Sequence, residues 1–313
     1  MLKPKISIIG AGNVGIRYAY SLMMSGFARS IVIVDVDAKR AQGEVLDLAS
    51  GLPYVSPVEI LAGDYTDIVY SDVVVITAGK KQKPGQTRLE LVKDNVEIFR
   101  SIIPQIIRYA KEAILVIATN PVDILSYATY RISGKPWQEI IGSGTVLDTA
   151  RLRLLLSKHC DIDSRNIHAY ILGEHGDSEL PVWSSAMLGG TFLKDYCPLC
   201  NKCNPHDTLN AIFEEVKTFA YRVIERKGET SYGIGLALTR ITEAIVKDEN
   251  SVLPVSCLAQ DYYKIHEVYM GLPAVVCRKG VREILKLQLN SEETKQLEFS
   301  AQTLKSVIKE VGL

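Results

Sequence analysis

The first half of the chain alternates short apolar runs with stretches of helical periodicity. The apolar runs are nearly continuous and rich in β-branched residues, as strands buried on both faces must be. They are Ile6–Ile9, Ile31–Val34, Val73–Thr77 and Ile114–Ala118. The amphipathic stretches predict helices over Val14–Ser25, Ala38–Ser50, Arg88–Ala110 and Pro121–Ile132. This alternation predicts βαβ units around a parallel sheet with helices on both faces.

The second half of the chain has a different pattern. Its periodicity predicts helices over Gly144–His159, Thr208–Lys227 and Gly233–Val246, a strand over Asn166–Leu172, and antiparallel strands between Ser251 and Gly280. A final helix is predicted from apolar residues that share one face, namely Leu297, Ala301, Leu304, Ile308 and Val311, with Asn290 or Ser291 as N-cap. We therefore expect an α/β protein with a doubly wound parallel sheet over residues 1–142 and a second, α+β domain over residues 143–313.

Composition and charge exclude several classes of protein. Of the 313 residues, 47% are apolar and 23% charged, which is ordinary for a globular chain. The 36 basic and 36 acidic side chains balance, so no broad positive field for nucleic acid is expected. No apolar run is long enough to cross a membrane, no secretory signal pattern follows Met1, and six cysteines do not make a disulfide scaffold. We expect a cytoplasmic protein that binds neither nucleic acid nor membrane.

A glycine-rich turn follows the first predicted strand. Gly10, Gly12 and Gly15 occupy the positions of a G-x-G-x-x-G turn, and Asn13 and Val14 lie where the next helix begins. Such a turn holds a pyrophosphate against a helix N-terminus. Asp35 ends the next strand, where a carboxylate accepts hydrogen bonds from an adenosine ribose and repels a 2′-phosphate. The context favours NAD binding over the alternative of a structural turn with a surface aspartate.

A histidine bracketed by glycines follows the predicted strand of the second half. His175 lies in Gly-Glu-His-Gly-Asp, where its ring can face a cleft and carry a proton near neutral pH. A lone histidine is more often structural, but Asp148 and Arg151 are three apart on a predicted helix and share one face. Together they offer an acid that orients an imidazole and an arginine that grips a carboxylate. The competing interpretation is an ordinary surface ion pair.

Two further segments follow sheet strands at the edge where open α/β sheets bind ligands. Residues 79–88 are polar and basic and contain Pro84-Gly85, which is typical either of a lid or of a solvated loop. Asn120, in Thr-Asn-Pro-Val-Asp, is either a turn residue before a proline-initiated helix or an amide that reaches the cofactor.

Taken together, these motifs resemble those of the lactate/malate dehydrogenase family, and within it the bacterial L-lactate dehydrogenases. The resemblance covers the chain from Lys5 to the last helix and rests on the glycine turn, QKPGQTR, TNPVD, LDTARLR, GEHGD and KGETSYGIG. It implies NAD as cofactor, pyruvate and L-lactate as substrates, and a homotetramer.

The resemblance also implies a role for each matching residue. His175 would donate or accept the proton, Asp148 would hold its tautomer, and Arg151 would bind the substrate carboxylate. Arg88 would polarise the ketone. The remaining implied contacts are Asn120 at the carbonyl and nicotinamide, Thr230 near the substrate methyl, and Ile234 against the nicotinamide.

Two further expectations concern specificity and regulation. Malate enzymes of the family carry an arginine where this chain has Gln82, so we expect pyruvate to be preferred over oxaloacetate. Arg153 and His168 match positions that bind fructose 1,6-bisphosphate across a subunit interface in activated bacterial enzymes. Without the resemblance, these two would be interpreted as a surface arginine and a strand histidine.

One spacing has no counterpart in the family pattern. Cys197, Cys200, Cys203 and His206 are spaced like metal ligands, with Pro198 and Pro205 among them. A thiol-rich loop without function is favoured over a zinc site, and we expect no metal cofactor.

Overall fold

The computed structural model describes residues 4–81, 87–199 and 205–313. Within them, nine strands form one mixed sheet in the order β14-β13-β12-β6-β5-β4-β1-β2-β3. The strands of this sheet are β1 Lys5–Ile9, β2 Ser30–Val34, β3 Glu59–Ala62, β4 Val73–Ile76, β5 Ile114–Ile117, β6 Ile140–Gly142, β12 Ser251–Tyr262, β13 Ile265–Cys277 and β14 Gly280–Ile284. Strands β1 to β6 pair in parallel, and β12 to β14 are antiparallel. The predicted doubly wound fold is confirmed.

Helices flank this sheet, and short strands complete the second half. The helices are α1 Asn13–Ser25, α2 Ala38–Ser50, α3 Arg88–Tyr109, α4 Val122–Ser133, α5 Val146–Cys160, α6 Leu193–Leu199, α7 Pro205–Lys227, α8 Tyr232–Val246 and α9 Ser291–Glu310. The remaining strands are β7 Ile167–His168, β8 Ile171–Leu172, β9 Leu180–Pro181, β10 Met187–Leu188 and β11 Thr191–Phe192. Asn290 caps α9 by accepting from two backbone N–H groups, as one of the two predicted alternatives required. No helix in the described ranges is long and apolar enough to cross a membrane.

The single strand predicted over Asn166–Leu172 is wrong. The segment forms two short strands that belong to different sheets, β7 beside β10 and β8 beside β9. The chain passes from one sheet to the other through Ala169 and Tyr170, and the Tyr170 carbonyl accepts a hydrogen bond from the Val182 N–H. After β8 the chain reaches the helix that follows β5, where the His175 N–H donates to Asp123.

The sheet continues across the middle of the chain. Strand β12 pairs antiparallel with β6 through Ser256 and Gly142, so the hairpin β12–β13 extends the parallel sheet of the first half. The main core is formed by the apolar faces of this sheet and the helices that cover it, while a smaller core lies under α5 and α7 and includes Leu152, Leu156, Ile167 and Val216. The segments that follow β5, β6 and β8 meet at one cavity, which Asn120, Asp148 and His175 line.

Candidate active site

The glycine-rich turn is built by close packing of the first βα unit. Gly10 has a φ of +115°, and its N–H donates to the Val34 carbonyl at 2.7 Å. A methyl group on Gly15 would overlap the Gly10 carbonyl oxygen, whereas one on Gly12 would have no neighbour within 4 Å. Gly10 and Gly15 are thus required by the protein's own packing, while the space beside Gly12 is open.

The open side of this turn fits a pyrophosphate. Helix α1 begins at Asn13 with Gly12 as N-cap, and the first intrahelical bond runs from the Ile16 N–H to the Gly12 carbonyl. The N–H groups of Asn13 and Val14 therefore belong to the first turn, where backbone donors have no intrahelical acceptor and favour an anion. The structure places Gly10 and Gly12 in the turn before α1 and Gly15 in the first turn of that helix, as the sequence predicts.

Asp35 lies directly beside this turn. Its Oδ2 accepts from the Ala11 N–H at 2.6 Å, and its Oδ1 accepts from the Asp37 N–H at 2.9 Å. The carboxylate is thereby fixed at the end of β2, one strand over from the glycines, as a ribose-binding acid must be.

Helix α8 covers the nucleotide-binding unit. A methyl group on Gly235 would meet the backbone of Arg17 and Tyr18, so α8 packs on α1 at close approach. The Tyr18 hydroxyl and the Thr242 hydroxyl are 2.7 Å apart in this interface. Half-buried Ile234 precedes Gly235 in α8 and packs against the main core.

The second group of polar residues is centred on His175. Its Nδ1 lies 2.6 Å from Asp148 Oδ2, and Arg151 Nη1 donates to Asp148 Oδ1 at 2.9 Å. Asp148 and Arg151 lie one helical turn apart in α5, with side chains only 4% and 9% exposed. The alternative of a surface ion pair is therefore wrong, because this pair is buried and shared with the imidazole.

The pKa values of this group follow from its contacts. Burial opposes a charged imidazole, but the adjacent Asp148 carboxylate outweighs it and raises the pKa of His175 to about 9. Burial also opposes the ionised form of Asp148, yet the charges of His175 and Arg151 hold the pKa of that carboxyl below its usual value. The imidazolium and the carboxylate stabilise each other at neutral pH.

A cavity of about 510 Å³ opens onto these groups. Asn120, at the carboxyl end of β5, lines the same cavity as Asp148, Arg151 and His175. A neighbouring cavity of about 350 Å³ is lined by Arg151, Thr230 and Ile234. The two cavities share Arg151, so the cleft extends from His175 to the start of α8.

Glu179 is a cleft residue that the sequence analysis missed. Its side chain lines the cavity beside His175, and burial together with the Asp148 charge raises its pKa to about 9. The only signal for it was its position four residues after His175, because β9, which carries the chain back from the loop, is too short to be predicted.

Asp148, His175 and Glu179 also offer ligand atoms within 4.8 Å of one another. Both Asp148 oxygens are already engaged, and the Arg151 guanidinium is bonded to the same carboxylate. A cation there would be repelled by that guanidinium, so the donor set suits an anionic substrate better than a metal ion.

Several predicted site residues lie outside the described residues or have side chains that are not described. Gln82 lies outside the described residues, as do Cys200 and Cys203, and the side chains of Arg88, Cys197 and His206 are not described. The backbone of Arg88 begins α3, with Thr87 as N-cap.

The two residues predicted to bind a sugar bisphosphate lie apart from the cleft. Half-buried Arg153 donates from Nε to the Ala169 carbonyl at 3.1 Å, and its guanidinium stacks 5.2 Å from the Tyr170 ring centre. His168 is exposed on β7, one residue before Ala169. The structure therefore brings the guanidinium of Arg153 to the two residues that directly follow His168.

A dinucleotide-type glycine turn, together with a histidine held by a buried carboxylate in a cleft, is typical of an NAD-dependent oxidoreductase. Both halves of the sequence match known domains of one such family: residues 4–142 match the NAD binding domain of lactate/malate dehydrogenase, and residues 145–312 match its alpha/beta C-terminal domain. The chain belongs to the lactate/malate dehydrogenase family, and its cofactor is NAD.

Similar proteins cover the whole chain. An L-lactate dehydrogenase of Acetivibrio thermocellus is 50% identical over 99% of this chain and 98% of its own length. L-lactate dehydrogenase 1 of Clostridium acetobutylicum is 51% identical over 96% of each chain. Among solved structures, a lactate dehydrogenase from a Medee basin deep-sea metagenome library is 43% identical, with a TM-score of 0.97 and full coverage of both chains. The minor L-lactate dehydrogenase of Enterococcus mundtii, solved with ligands bound, is 40% identical over 99% of each chain, also with a TM-score of 0.97.

The glycine turn generates a prediction that separates folding from cofactor binding. Gly15→Ala should lower the free energy of unfolding of the cofactor-free protein by about 1–3 kcal/mol, because the added methyl overlaps the Gly10 carbonyl. Gly12→Ala should leave that stability unchanged but weaken NADH binding by roughly tenfold or more, about 1.4 kcal/mol, because the methyl occupies the open side of the turn. Thermal unfolding and NADH fluorescence titration measure the two effects. Unaltered NADH affinity in Gly12→Ala would place the pyrophosphate elsewhere.

Proposed function

We propose that this protein is an L-lactate dehydrogenase that interconverts pyruvate and L-lactate, with His175 exchanging the proton. The observation that carries the proposal is the buried contact between His175 Nδ1 and Asp148 Oδ2, 2.6 Å apart, with Arg151 on the same carboxylate. These groups face the cavity that Asn120 also lines. The names of the full-length relatives support the same activity.

In this proposal, Asp148 determines which nitrogen of His175 reacts. A carboxylate can only accept a hydrogen bond, so Nδ1 keeps its proton and donates to Asp148, which leaves Nε2 to face the substrate. NADH, when bound, supplies the hydride for pyruvate C2. The imidazolium then gives its Nε2 proton to the carbonyl oxygen as negative charge develops there, and neutral Nε2 takes that proton back in lactate oxidation.

Arg151 serves as the carboxylate anchor in this scheme. An arginine has five N–H donors, and the bond from Nη1 to Asp148 uses one of them. The guanidinium lies 5.3 Å from the centre of the Phe219 ring, which limits its orientation. The substrate carboxylate carries its charge throughout the reaction, so Arg151 contributes binding and orientation more than rate.

The other assignments complete the substrate site. Arg88 polarises the ketone, and its interaction with the carbonyl oxygen strengthens as that oxygen gains negative charge. Asn120 supports the carbonyl and the nicotinamide, Thr230 contacts the methyl end of the substrate, and Ile234 packs against the nicotinamide. The shared cavity of Arg151, Thr230 and Ile234 supports the last two.

The first prediction of this scheme concerns the third carbon of the substrate. With Gln82 there, the second carboxylate of oxaloacetate would be desolvated without a partner, which costs several kcal/mol. The kcat/KM for pyruvate should exceed that for oxaloacetate by roughly 100-fold or more, since each tenfold corresponds to about 1.4 kcal/mol. Gln82→Arg should move the preference toward oxaloacetate, whereas Lys81→Gln, at an exposed neighbour, should not.

NADH oxidation followed by absorbance measures both substrates. Faster turnover of oxaloacetate by the unaltered protein would contradict the assignment to lactate. A flat trace with pyruvate despite tight NADH binding would instead indicate an NAD-binding protein without this activity.

The second prediction concerns pH. Because the pKa of His175 is raised to about 9, the imidazolium persists through neutral pH, and kcat/KM for pyruvate reduction should fall only above about pH 9. Lactate oxidation needs the neutral ring and should rise over the same range. Asp148→Asn removes the charge that raises the pKa of His175, so the decline should begin about one unit or more lower.

Matched histidine variants test the same assignment. His175→Asn should lose roughly 10²–10⁴ in kcat, while His266→Asn, at an exposed site on β13, should keep full activity. Turnover by His175→Asn near that of the unaltered protein would exclude the ring as the proton carrier.

We also propose that fructose 1,6-bisphosphate activates the enzyme in a homotetramer, by binding to Arg153 and His168 and neutralising cations that face each other between subunits. The Arg153 guanidinium contacts Ala169 and Tyr170, the two residues that follow His168, which supports a shared site. Coupling of this kind is typically worth 1–3 kcal/mol, or roughly 5- to 150-fold in affinity.

This proposal predicts that millimolar fructose 1,6-bisphosphate lowers the pyruvate concentration at half-maximal rate. Arg153→Gln with His168→Gln should abolish the shift, whereas Arg282→Gln, an exposed arginine of β14, should not. Steady-state pyruvate curves and sedimentation velocity check the activation and the assembly. Curves that the bisphosphate leaves unchanged in the unaltered protein would remove this proposal without touching the catalytic one.

A further inference from the structure

The loop that carries the catalytic histidine, residues 173–177 (the histidine loop), is held at three consecutive backbone positions. Gly173 exchanges two hydrogen bonds with Gly271 of β13. The Glu174 N–H donates to Ser300 Oγ of α9 at 2.7 Å, and the His175 N–H donates to Asp123 Oδ2 of α4 at 2.8 Å. Each anchor comes from a different element, so the loop is fixed from three directions.

The Asp123 anchor differs from the other two because it comes from the nucleotide-binding half. Asp123 lies in the first turn of α4, three residues after Asn120, and is 2% exposed. Its second oxygen, Oδ1, accepts from the Ser256 hydroxyl of β12 at 2.6 Å. One buried carboxylate therefore ties together the helix after β5, the hairpin that extends the sheet, and the backbone of the catalytic histidine.

This contact complements the bond between Asp148 and the ring. Asp148 fixes the far end of the side chain at Nδ1, but a ring held only there could still shift with its backbone. Asp123 fixes the near end at the peptide N–H. With both ends held, the Nε2 atom has one position relative to Asn120 and to the carboxyl edge of the sheet, which is what proton transfer at hydrogen-bond distance requires.

The ionisation of Asp123 agrees with this arrangement. Burial raises the pKa of this carboxyl to about 6, although the hydrogen bonds from Ser256 and from the His175 N–H oppose the rise. At neutral pH the group is mostly ionised, and both oxygens can accept from the two donors that face them.

We propose that Asp123 is a positioning residue for catalysis, which holds the backbone of His175 in register with the nucleotide-binding half. The proposal rests on the proposed dehydrogenase function. It assigns Asp123 no contact with substrate or cofactor, so its effect should act on kcat through the placement of His175 and leave substrate binding nearly unchanged.

Another buried carboxylate in the described chain provides a matched control. Glu293 of α9 accepts from the Ser184 N–H at 2.9 Å and from the Ser184 hydroxyl at 2.5 Å. It thus combines a backbone N–H and a seryl hydroxyl, as Asp123 does, and is 4% exposed. Glu293 also accepts from the Asn290 N–H at 2.9 Å in the first turn of α9, about two helical turns before Ser300. Neither Ser184 nor Glu293 lines the catalytic cavity or contacts the histidine loop directly, so changes at Glu293 report the cost of disturbing such a carboxylate at a distance from that loop.

The test compares a variant that keeps the position of the acceptor with one that keeps its charge. In Asp123→Asn, the amide oxygen can still accept from the His175 N–H while the amide nitrogen donates to the Ser256 hydroxyl oxygen, so kcat should stay within about threefold. Asp123→Glu retains the charge but moves the carboxylate by one methylene, so kcat should fall roughly 10- to 100-fold with pyruvate KM within about threefold. Glu293→Gln and Glu293→Asp should alter thermal stability alone.

Two further measurements separate positioning from general destabilisation. The ratio of kcat with NADH to kcat with NADH deuterated at the transferred position should rise in Asp123→Glu only, because a misplaced proton donor slows the chemical step. Hydrogen exchange of the peptide covering residues 173–177 should accelerate in Asp123→Glu, but not in Asp123→Asn or the Glu293 variants.

The possible outcomes are distinct. Full kcat and an unchanged isotope effect in Asp123→Glu, or equal damage in Asp123→Asn and Asp123→Glu, would overturn the positioning role. Ser256→Ala, which removes one anchor of the carboxylate, should give a smaller loss in the same direction and decides the matter if Asp123→Glu does not fold. Hydrogen exchange needs no substrate, so it still tests the anchor if the unaltered protein fails to reduce pyruvate, a result that would refute the proposed function instead.

Discussion

The carboxylate of Asp148 is shared between an imidazole and a guanidinium inside the protein, and this shared charge governs how the cleft is built. Moving an ionised carboxylate out of water costs several kcal/mol, and only partners with good geometry offset that cost. Here His175 and Arg151 each bond a different oxygen of it, at 2.6 and 2.9 Å. Removing one partner from such a buried group typically costs about 3–5 kcal/mol. The loop after β8 and the helix α5 must therefore meet in one arrangement for the carboxylate to be stable at all.

The same charge balance suits the cleft to an anion. The pKa of Glu179 is raised to about 9, so this buried acid is neutral at the pH where Asp148 is ionised and His175 is protonated. His175 and Arg151 are then two cationic groups on the one Asp148 carboxylate, which leaves an excess of positive charge among these three side chains. An ionised Glu179 would be a second negative charge among these side chains and would cancel that excess, so the burial that keeps Glu179 neutral favours binding of an anion.

The sequence predicts the parts of the fold that depend on local pattern and misses those that depend on distant pairing. The four buried strands and the cap at Asn290 follow from β-branched runs and capping chemistry, and they are found in place. Strand β6 is three residues long and β3 lies at the sheet edge, so neither leaves a clear periodicity. The extension of the parallel sheet by β12 depends on the single pairing of Ser256 with Gly142, which no local pattern reveals.

In the candidate site, too, the residues set by local pattern were predicted and those set by distant contacts were not. Helical spacing places Asp148 and Arg151 on one face, and the glycines on either side of His175 single out that histidine, but spacing alone could not distinguish a buried pair from a surface one. Glu179 and Asp123 were not predicted because their roles arise from contacts across the fold.

These long-range contacts explain why the two halves of the site keep their geometry. In the proposed reaction, the glycine turn and α1 would place the hydride donor, and α5 and the histidine loop would place the proton donor. Relative movement of these elements would then separate the two reacting groups. The continuous sheet through β6 and β12 opposes such movement from one side, and the close packing of α1 on α8 at Gly235 opposes it from another. The Asp123 carboxylate adds a third restraint, since it alone of the three loop anchors bonds the histidine loop from the nucleotide-binding half. The proposed transfer of a hydride and a proton to adjacent atoms would need both donors held in a fixed geometry, and in this structure backbone hydrogen bonds and helix packing restrain the elements that carry them.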